Sequence, residues 1–344
     1  MNPRIPAMRI YDSGECMKQI LVTGGAGYIG SHTVRALAAK GFVPVIYDDL
    51  SAGIRDFVDG FELVEGDIGD YSKLVSVFRS HEISCVMNFA SFIAVGESCA
   101  NPLKYYDNNV SKTVSLFRAM RDCGVKKFIF SSTAAVYGNP EIVPITEDSR
   151  LNPESPYGKT KLMIEQVLSD LEKSDGFRYV ALRYFNAAGA DPEGRNGESH
   201  VPETHLIPLV MRAVLDPSYA ITVFGEDYPT PDGTCVRDYI HVNDLADAHV
   251  SAVERLLAGG ESLTCNLGNG TGFSVNEVID SVRRVTGKDF AVKKGPRRAG
   301  DPAALVASSK KAREELGWTP KFPHIDQIVE TAWNWEKQGK RKGW

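Results

Sequence analysis

"MKQILVTGGAGYIG" (residues 17–30) runs from a short apolar segment through a glycine-rich turn into a helical pattern. "KQILVTGG" reads as a buried strand, apolar and β-branched, ended by glycines. "YIGSHTVRALAAKG" reads as a helix stopped at Gly41. Between them Gly24, Gly27 and Gly30 fall at GxxGxxG spacing. Gly24 permits a tight turn, Gly27 lets backbone approach a pyrophosphate, and Gly30 lets helix and strand pack closely. The helix N-terminus adds partial positive charge. The second strand, "FVPVIYDDL", ends in Asp48 and Asp49, about twenty residues on, where a carboxylate accepts from an adenosine ribose hydroxyl. No basic residue stands beside that pair to hold a 2′-phosphate, so the expected cofactor is NAD rather than NADP. "EGDIGD" supplies Asp67 after a third strand, placed for an adenine amino group or for a plain turn.

Outward from that turn, strand and helix patterns alternate. "KLVSVFRSH" is a helix and "SCVMNFA" a strand; "NNVSKTVSLFRAMRDCGV" is a long amphipathic helix and "KKFIFSST" a strand. "SPYGKTKLMIEQVLSDLEK" is again a helix and "FRYVALRYFN" a strand. The expected fold class is α/β, a Rossmann-type doubly wound parallel sheet with both faces covered. After Asn186 the texture becomes rich in Gly, Pro, Glu and Asn, with shorter apolar units. The expected division is a nucleotide-binding domain over 17–186 and a smaller C-terminal substrate-binding domain over 187–344. The stretch 236–268 reads as strand, cap and helix returning to the first domain. Residues 1–16 lack the regular pattern that begins at Met17 and read as a disordered extension rather than a secretory signal.

The 344 residues are 43% apolar and 24% charged, a globular composition with ample core. A net charge of −5 argues against a nucleic-acid surface. No apolar run approaches the roughly 20 residues that span a bilayer. Six scattered cysteines without a CxxC pair suit a reducing cytoplasm and argue against structural zinc, so no metal is expected.

Two further pieces carry chemistry: "SSTAAVYG" (131–138) and "YGKTK" (157–161). On a helix, Tyr157 and Lys161 share a face roughly 6 Å apart. A free phenol, with a pKa of about 10, is a poor base at neutral pH. Making it one takes about 4 kcal/mol of differential stabilisation. A neighbouring ammonium and a positively charged nicotinamide are groups of the right sign. Thr133 ends its strand with a hydroxyl that can bind the same substrate oxygen. Tyrosine as base, lysine as tuner and threonine as orienter suit proton removal from an alcohol.

"TGGAGYIG", "SSTAAVYG" and "YGKTK" resemble the extended short-chain dehydrogenase/reductase family. "VGES" (95–98), "YYDNNV" (105–110), "RYFNAAGA" (183–190), "DGTCVRDYIHVNDLADAH" (232–249) and "RRAGDP" (297–302) are similar to its UDP-sugar 4-epimerases, from Met17 onward. The resemblance implies reversible inversion at C4 of UDP-glucose and UDP-galactose through a transient 4-keto sugar with tightly held NAD. It implies that Gly24, Gly27, Tyr28, Ile29 and Gly30 hold the pyrophosphate, Asp48 and Asp49 the adenosine ribose, and Asp67 and Ile68 the adenine. Phe89, Ala90, Asn108, Lys161 and Tyr184 would line the rest of the cofactor. For the UDP group it implies Asn186, His205, Leu206, Phe224, Arg237, Arg298 and Asp301. Ile93 stands where some members carry a lysine, and Leu305 where a bulky tyrosine is associated with exclusion of N-acetylated sugars. UDP-N-acetylglucosamine and UDP-N-acetylgalactosamine therefore join the candidate substrates. The alternatives are a 4-epimerase of UDP-xylose, UDP-arabinose or UDP-glucuronate, or a non-catalytic NAD-sensing protein. Related dehydratases and decarboxylases place carboxylates where Ala134 and Ala135 stand here. Family members commonly form homodimers through two helices of the nucleotide domain.

Overall fold

The computed structural model describes residues 17–298 and 301–344; the extension expected at 1–16 lies outside the described residues. The main sheet has seven strands: β1 Gln19–Thr23, β2 Val43–Asp48, β3 Glu62–Glu65, β4 Ile83–Asn88, β5 Lys127–Thr133, β6 Arg178–Tyr184 and β7 Leu263–Leu267. Their order is β7-β6-β5-β4-β1-β2-β3, and every pairing is parallel. Strand order reverses between β1 and β4, so a crevice opens beyond their carboxyl ends. That is where ligands bind in sheets of this kind.

Side chains along each strand alternate between two apolar cores. Leu21, Val45, Tyr47, Val86, Phe128, Phe130 and Ala181 share one core with the helices Tyr71–Ser80, Lys112–Asp122 and Pro156–Asp175. Ile20, Val22, Ile46, Met87, Ile129, Val180 and Leu182 share the other with the helices Tyr28–Ala39 and Val242–Leu257. Burial on both faces explains why these strands read as continuous apolar runs rather than alternating ones.

Two elements differ from the sequence reading. The long helix expected from Asn108 starts earlier, at Pro102–Tyr105, and opens into a wider π turn at Tyr106–Ser111 before Lys112–Asp122. Within that turn the buried Asn109 amide receives from Phe92 N (2.9 Å) and donates to Phe92 O (3.0 Å) and Thr160 Oγ1 (3.2 Å). The segment expected to return to the sheet at 236–268 is divided. The helix Val242–Leu257 and β7 do join the large sheet. The strand Val236–His241 instead pairs with Gly272–Ser274, Ala304–Leu305 and Asn186–Ala188 in a small sheet. His241 is the cap between the two, its Nδ1 accepting from Asn243 N at 3.1 Å.

A third apolar core gathers the helices Leu206–Leu215, Val275–Thr286 and Ile325–Glu336 beside the small sheet. A two-stranded parallel ladder, Ile221–Phe224 with Val292–Gly295, borders it. Among the described residues no helix is long and apolar enough to cross a membrane. Leu21 is fully buried at the centre of β1, and Leu21→Ala is expected to cost about 2–5 kcal/mol. A chemical-denaturation midpoint unchanged in that variant would contradict this packing.

Candidate active site

The turn after β1 is pressed against the chain that leaves β4. Gly24 has φ +71°, and a Cβ there would lie 2.4 Å from Ala90 N and 2.7 Å from Phe89 C. A Cβ on Gly30 would lie 2.3 Å from Gly24 O. Both positions therefore exclude a side chain, and Phe89 and Ala90 sit directly across the turn. Asn88 fixes that approach: its Oδ1 accepts from Thr23 Oγ1 (2.7 Å) and Ala90 N (3.1 Å). Gly27 begins the helix Tyr28–Ala39 with no side-chain cap and no acidic residue in the first turn. The first N–H groups are thus left to an anion, the donor set a pyrophosphate requires.

The acidic residues at the strand ends are already engaged by backbone. Asp48 is buried and accepts from Ala26 N (2.9 Å) and Leu50 N (2.8 Å). Burial pushes its carboxyl above the ordinary value, and these two hydrogen bonds pull it back. Asp49 accepts from Ser51 N and Oγ through Oδ1 alone. Each carboxylate keeps lone pairs for ribose hydroxyls. Asp67 pairs with Lys112 at 2.5 Å and accepts from Gly69 N, and Ile68 beside it is buried. The Tyr28 hydroxyl donates to Gly189 O at 2.6 Å, tying the glycine loop to the second half of the chain. Asn108 lies in the π turn and donates to Asn109 Oδ1. Ile93 is 42% exposed. The uncapped helix start, Phe89 and Ala90, and the remaining lone pairs of Asp48 and Asp49 thus stand at the carboxyl ends of β1, β4 and β2, and their chemistry fits a dinucleotide.

Beside this crevice Thr133 ends β5, and Tyr157 is the second residue of the helix Pro156–Asp175. Ser155 caps that helix by accepting from Gly158 N at 3.1 Å. A Cβ on Gly158 would lie 2.7 Å from Ala135 O, so glycine lets the helix start lie on the turn after β5. Tyr157 is thereby brought next to Thr133 at the end of β5. One turn on, the buried Lys161 donates to Ser91 Oγ (2.9 Å) and Ser131 O (2.8 Å), its Nζ 5.9 Å from the Tyr157 ring centre. Tyr184 ends β6 next to these groups, hydrogen-bonded to Ser131.

The electrostatics of the pair follow from burial. In the chain by itself, burial raises the Tyr157 phenol above its ordinary value, and the Thr133 hydrogen bond draws it only partly back. Burial lowers Lys161 to about 7, against the attraction of Glu165 one turn further on. The lysine alone therefore does not make the phenol acidic, because both groups suffer the same desolvation. Glu165 is itself buried: it accepts from Ser132 Oγ (2.5 Å) and pairs with Arg183 at 2.5 Å, and Arg183 donates on to the Tyr137 hydroxyl at 2.9 Å. Sequence reasoning did not single out this network, whose members sit on different elements.

A second cavity, of about 390 Å³, opens at the small sheet. Asn186, His205, Leu206 and Phe224 line it, as do Arg237, Arg298 and Asp301. Asp301 pairs with Arg237 at 3.0 Å and with Arg298 at 3.1 Å, and Arg298 lies over the Phe224 ring at 5.1 Å. Two guanidinium groups and an aromatic slab thus face one space, a combination suited to a diphosphate and a planar base. Leu305 and Thr133 lie outside its lining. Leu305 pairs in register with Arg237 and packs in the cluster of Ala134, Val136 and Tyr137. Sequence reasoning also missed Glu198 and Glu203, which hold His205 from below, each 2.8 Å from Nδ1. Their signal is the local run "ESHVPETH", in which only the last histidine was singled out.

A family profile described as NAD dependent epimerase/dehydratase family matches residues 20–268. The chain belongs to that family. A UDP-glucose 4-epimerase of Rhizobium meliloti is 51% identical over 324 residues, covering 94% of this chain and 98% of that protein. The crystal structure of UDP-glucose 4-epimerase from Brucella ovis in complex with NAD is 49% identical, with a TM-score of 0.90 over 92% of this chain and 98% of that one. The enzyme of Bifidobacterium longum, solved with NAD+ and UDP, is 39% identical, with a TM-score of 0.88 over 93% and 98%. The family is NAD dependent, and the uncapped helix start after the glycine loop offers the donor set that such a cofactor requires.

The low Lys161 value has a measurable consequence. Its folded value, about 7, lies below the ordinary lysine value of 10.5. The destabilisation by the buried ammonium is complete below the folded value and fades as pH rises toward the ordinary one. Lys161→Met is therefore expected to raise the Tm of the cofactor-free chain more at about pH 6 than at about pH 9. An equal shift at both would contradict the desolvated lysine.

Proposed function

We propose that this chain interconverts UDP-glucose and UDP-galactose by inverting C4. The observation that carries the reading is the meeting of Thr133 and Tyr157 beside the dinucleotide crevice, with Lys161 one turn on and no carboxylate at Ala134 or Ala135. When bound, NAD supplies reversible two-electron oxidation of the sugar carbon. Thr133 orients the sugar 4-hydroxyl, and Tyr157 takes its proton and later returns it. Lys161 keeps positive charge near the phenol and holds a ribose of the cofactor. Arg237, Arg298, His205 and Phe224 retain the UDP moiety while the 4-keto sugar turns over to present its other face. Without an acidic side chain at 134 or 135, elimination of water and decarboxylation lack their acid. Retention of both Tyr157 and Lys161 argues against a purely sensing role.

The test is to incubate purified chain with UDP-galactose, without added nucleotide cofactor, and to follow UDP-glucose. Tyr157→Phe is expected to lower kcat by about 10²- to 10⁴-fold with the fold unchanged. A wild-type rate in that variant would remove Tyr157 as the base.

Leu305 borders the Tyr137 turn with a smaller side chain than tyrosine, so turnover of UDP-N-acetylglucosamine is expected as well. Leu305→Tyr should lower it by about 10- to 200-fold relative to UDP-galactose, the range that a filled pocket supplies. Equal losses on both nucleotides would refute Leu305 as the gate.

We infer also that two copies pair through the helices at 102–122 and 156–175, where Leu103 is 78% and Met163 39% exposed. Light scattering that gives a monomer at micromolar concentration would refute this. A cytoplasmic location accords with the five cysteines that are free among the described residues.

A further inference from the structure

His205 lines the UDP cavity from the residue before the helix Leu206–Leu215. Behind it lies a buried polar cluster that no step of the reaction uses directly. His205 Nδ1 is 2.8 Å from Oε1 of Glu198 and 2.8 Å from Oε1 of Glu203. The fully enclosed Glu203 also accepts from Thr204 N (2.8 Å) and His205 N (2.9 Å). Its other oxygen receives Arg341, 138 residues away in sequence. Arg341, whose side chain is 4% exposed, donates further to Glu198 O (2.9 Å) and Glu336 Oε1 (2.8 Å) and lies 4.3 Å over the Trp344 ring.

The charged and titratable groups around His205 are therefore few. Glu198 and Glu203 touch it, and the His200 ring lies at 5.2 Å. Arg341 and Glu336 stand behind the carboxylates, and Tyr28 meets His200 edge-on at 6.0 Å. Arg237, Arg298 and Asp301 share the cavity.

Two carboxylates on one ring nitrogen force Nδ1 to be a donor and favour the doubly protonated ring. Nε2 has no partner among the described residues, and His205 is part of the cavity lining. Burying two carboxylates is unfavourable unless a cation pairs with them, and the planar guanidinium of Arg341 supplies that pairing with several donors at once. An unrestrained histidine would instead lose its charge across the neutral range.

We propose that Arg341, acting through Glu203 and Glu198, is a positioning residue that fixes His205 as a permanent cation for the substrate diphosphate. This rests on the UDP-sugar reading of the cavity. Burial alone would lower the His205 imidazole; Glu198, then Glu203, more than offset it and hold it well above its ordinary range. Glu336, by contrast, is pushed up to about 7 by burial, against the pull of Arg341.

The test is the KM and kcat of the purified full chain for UDP-galactose between about pH 6 and about pH 8.5, a range in which an unperturbed histidine titrates. The diphosphate diester carries no group that titrates there, so the profile reports the protein. Wild-type KM should stay flat to within about twofold. Glu203→Gln keeps an acceptor for the backbone but loses the charge. Its KM should match wild type at the acid end and rise by about 10- to 100-fold at the alkaline end, the worth of one charge-assisted hydrogen bond, with kcat nearly unchanged. Adding His205→Gln to it should abolish the pH dependence. Arg341→Met should raise KM across the range, and Arg341→Lys should recover part of it; the lysine variant carries the test if the methionine variant does not fold. A Glu203→Gln profile as flat as wild type overturns the proposal, as does an Arg341→Lys or Arg341→Met chain that loses Tm while keeping its KM. Calorimetric titration with UDP-galactose in the same variants separates the two readings. A chain that binds the nucleotide with the expected pH split but does not turn it over places the fault in the reaction, not in the His205 cation.

Discussion

The start of the helix that bears Tyr157 must lie almost in contact with the turn that leaves β5, and the rest of the site is arranged around that approach. A side chain at Gly158 would collide with Ala135 O. Because it is absent, a phenol on a helix and a hydroxyl on a strand end meet at one point, with a buried amine one turn below. The approach also closes water out. That exclusion keeps the phenol protonated and the amine partly neutral in the chain alone, and it strengthens whatever charge a bound cofactor brings.

Beneath the meeting point, Glu165 and Arg183 pair across the space between helix and strand. Ser132 and Tyr137 complete their hydrogen bonding, and Asn266 on β7 accepts from Tyr137 at 2.7 Å. A buried ion pair contributes little net stability, since desolvation offsets its attraction. Its effect here is geometric: β5, β6, β7 and the Tyr157 helix share one polar chain, so none can shift without breaking it. The same logic governs the other cavity, where the carboxylates under His205 are held by His205, by backbone N–H groups and by Arg341.

The α/β class, six of the seven sheet strands and the glycine loop were legible because they are written in local periodicity and turn chemistry. Leu21 and Val22 fall in opposite cores, and the alternation needs no knowledge of partners. Thr133, Tyr157 and Lys161 were legible as a motif. The Glu165–Arg183 pair was not, because its members are 18 residues apart on different elements; Glu203 and Arg341 are further apart still. The depth at which Tyr157 and Lys161 lie was not legible for a related reason. Proximity to a lysine can be read from spacing, but the depth at which both are buried is a property of the assembled core. The strand at 236–241 misled because its own pattern suits either sheet, and only its register with Asn186–Ala188 decides.

The path of the chain between the two sheets has a further consequence. It leaves the large sheet after β6, enters the small one at 186–188 and again at 236–241, returns through the helix Val242–Leu257 to β7, and departs once more. A fragment cut at residue 186 would strip β6 of its outer neighbour and uncover the flank of the helix Tyr28–Ala39. The half that carries the glycine loop is thus not an autonomous module that recombination could graft elsewhere; its last strand is threaded in only after residues 187–262 have been made.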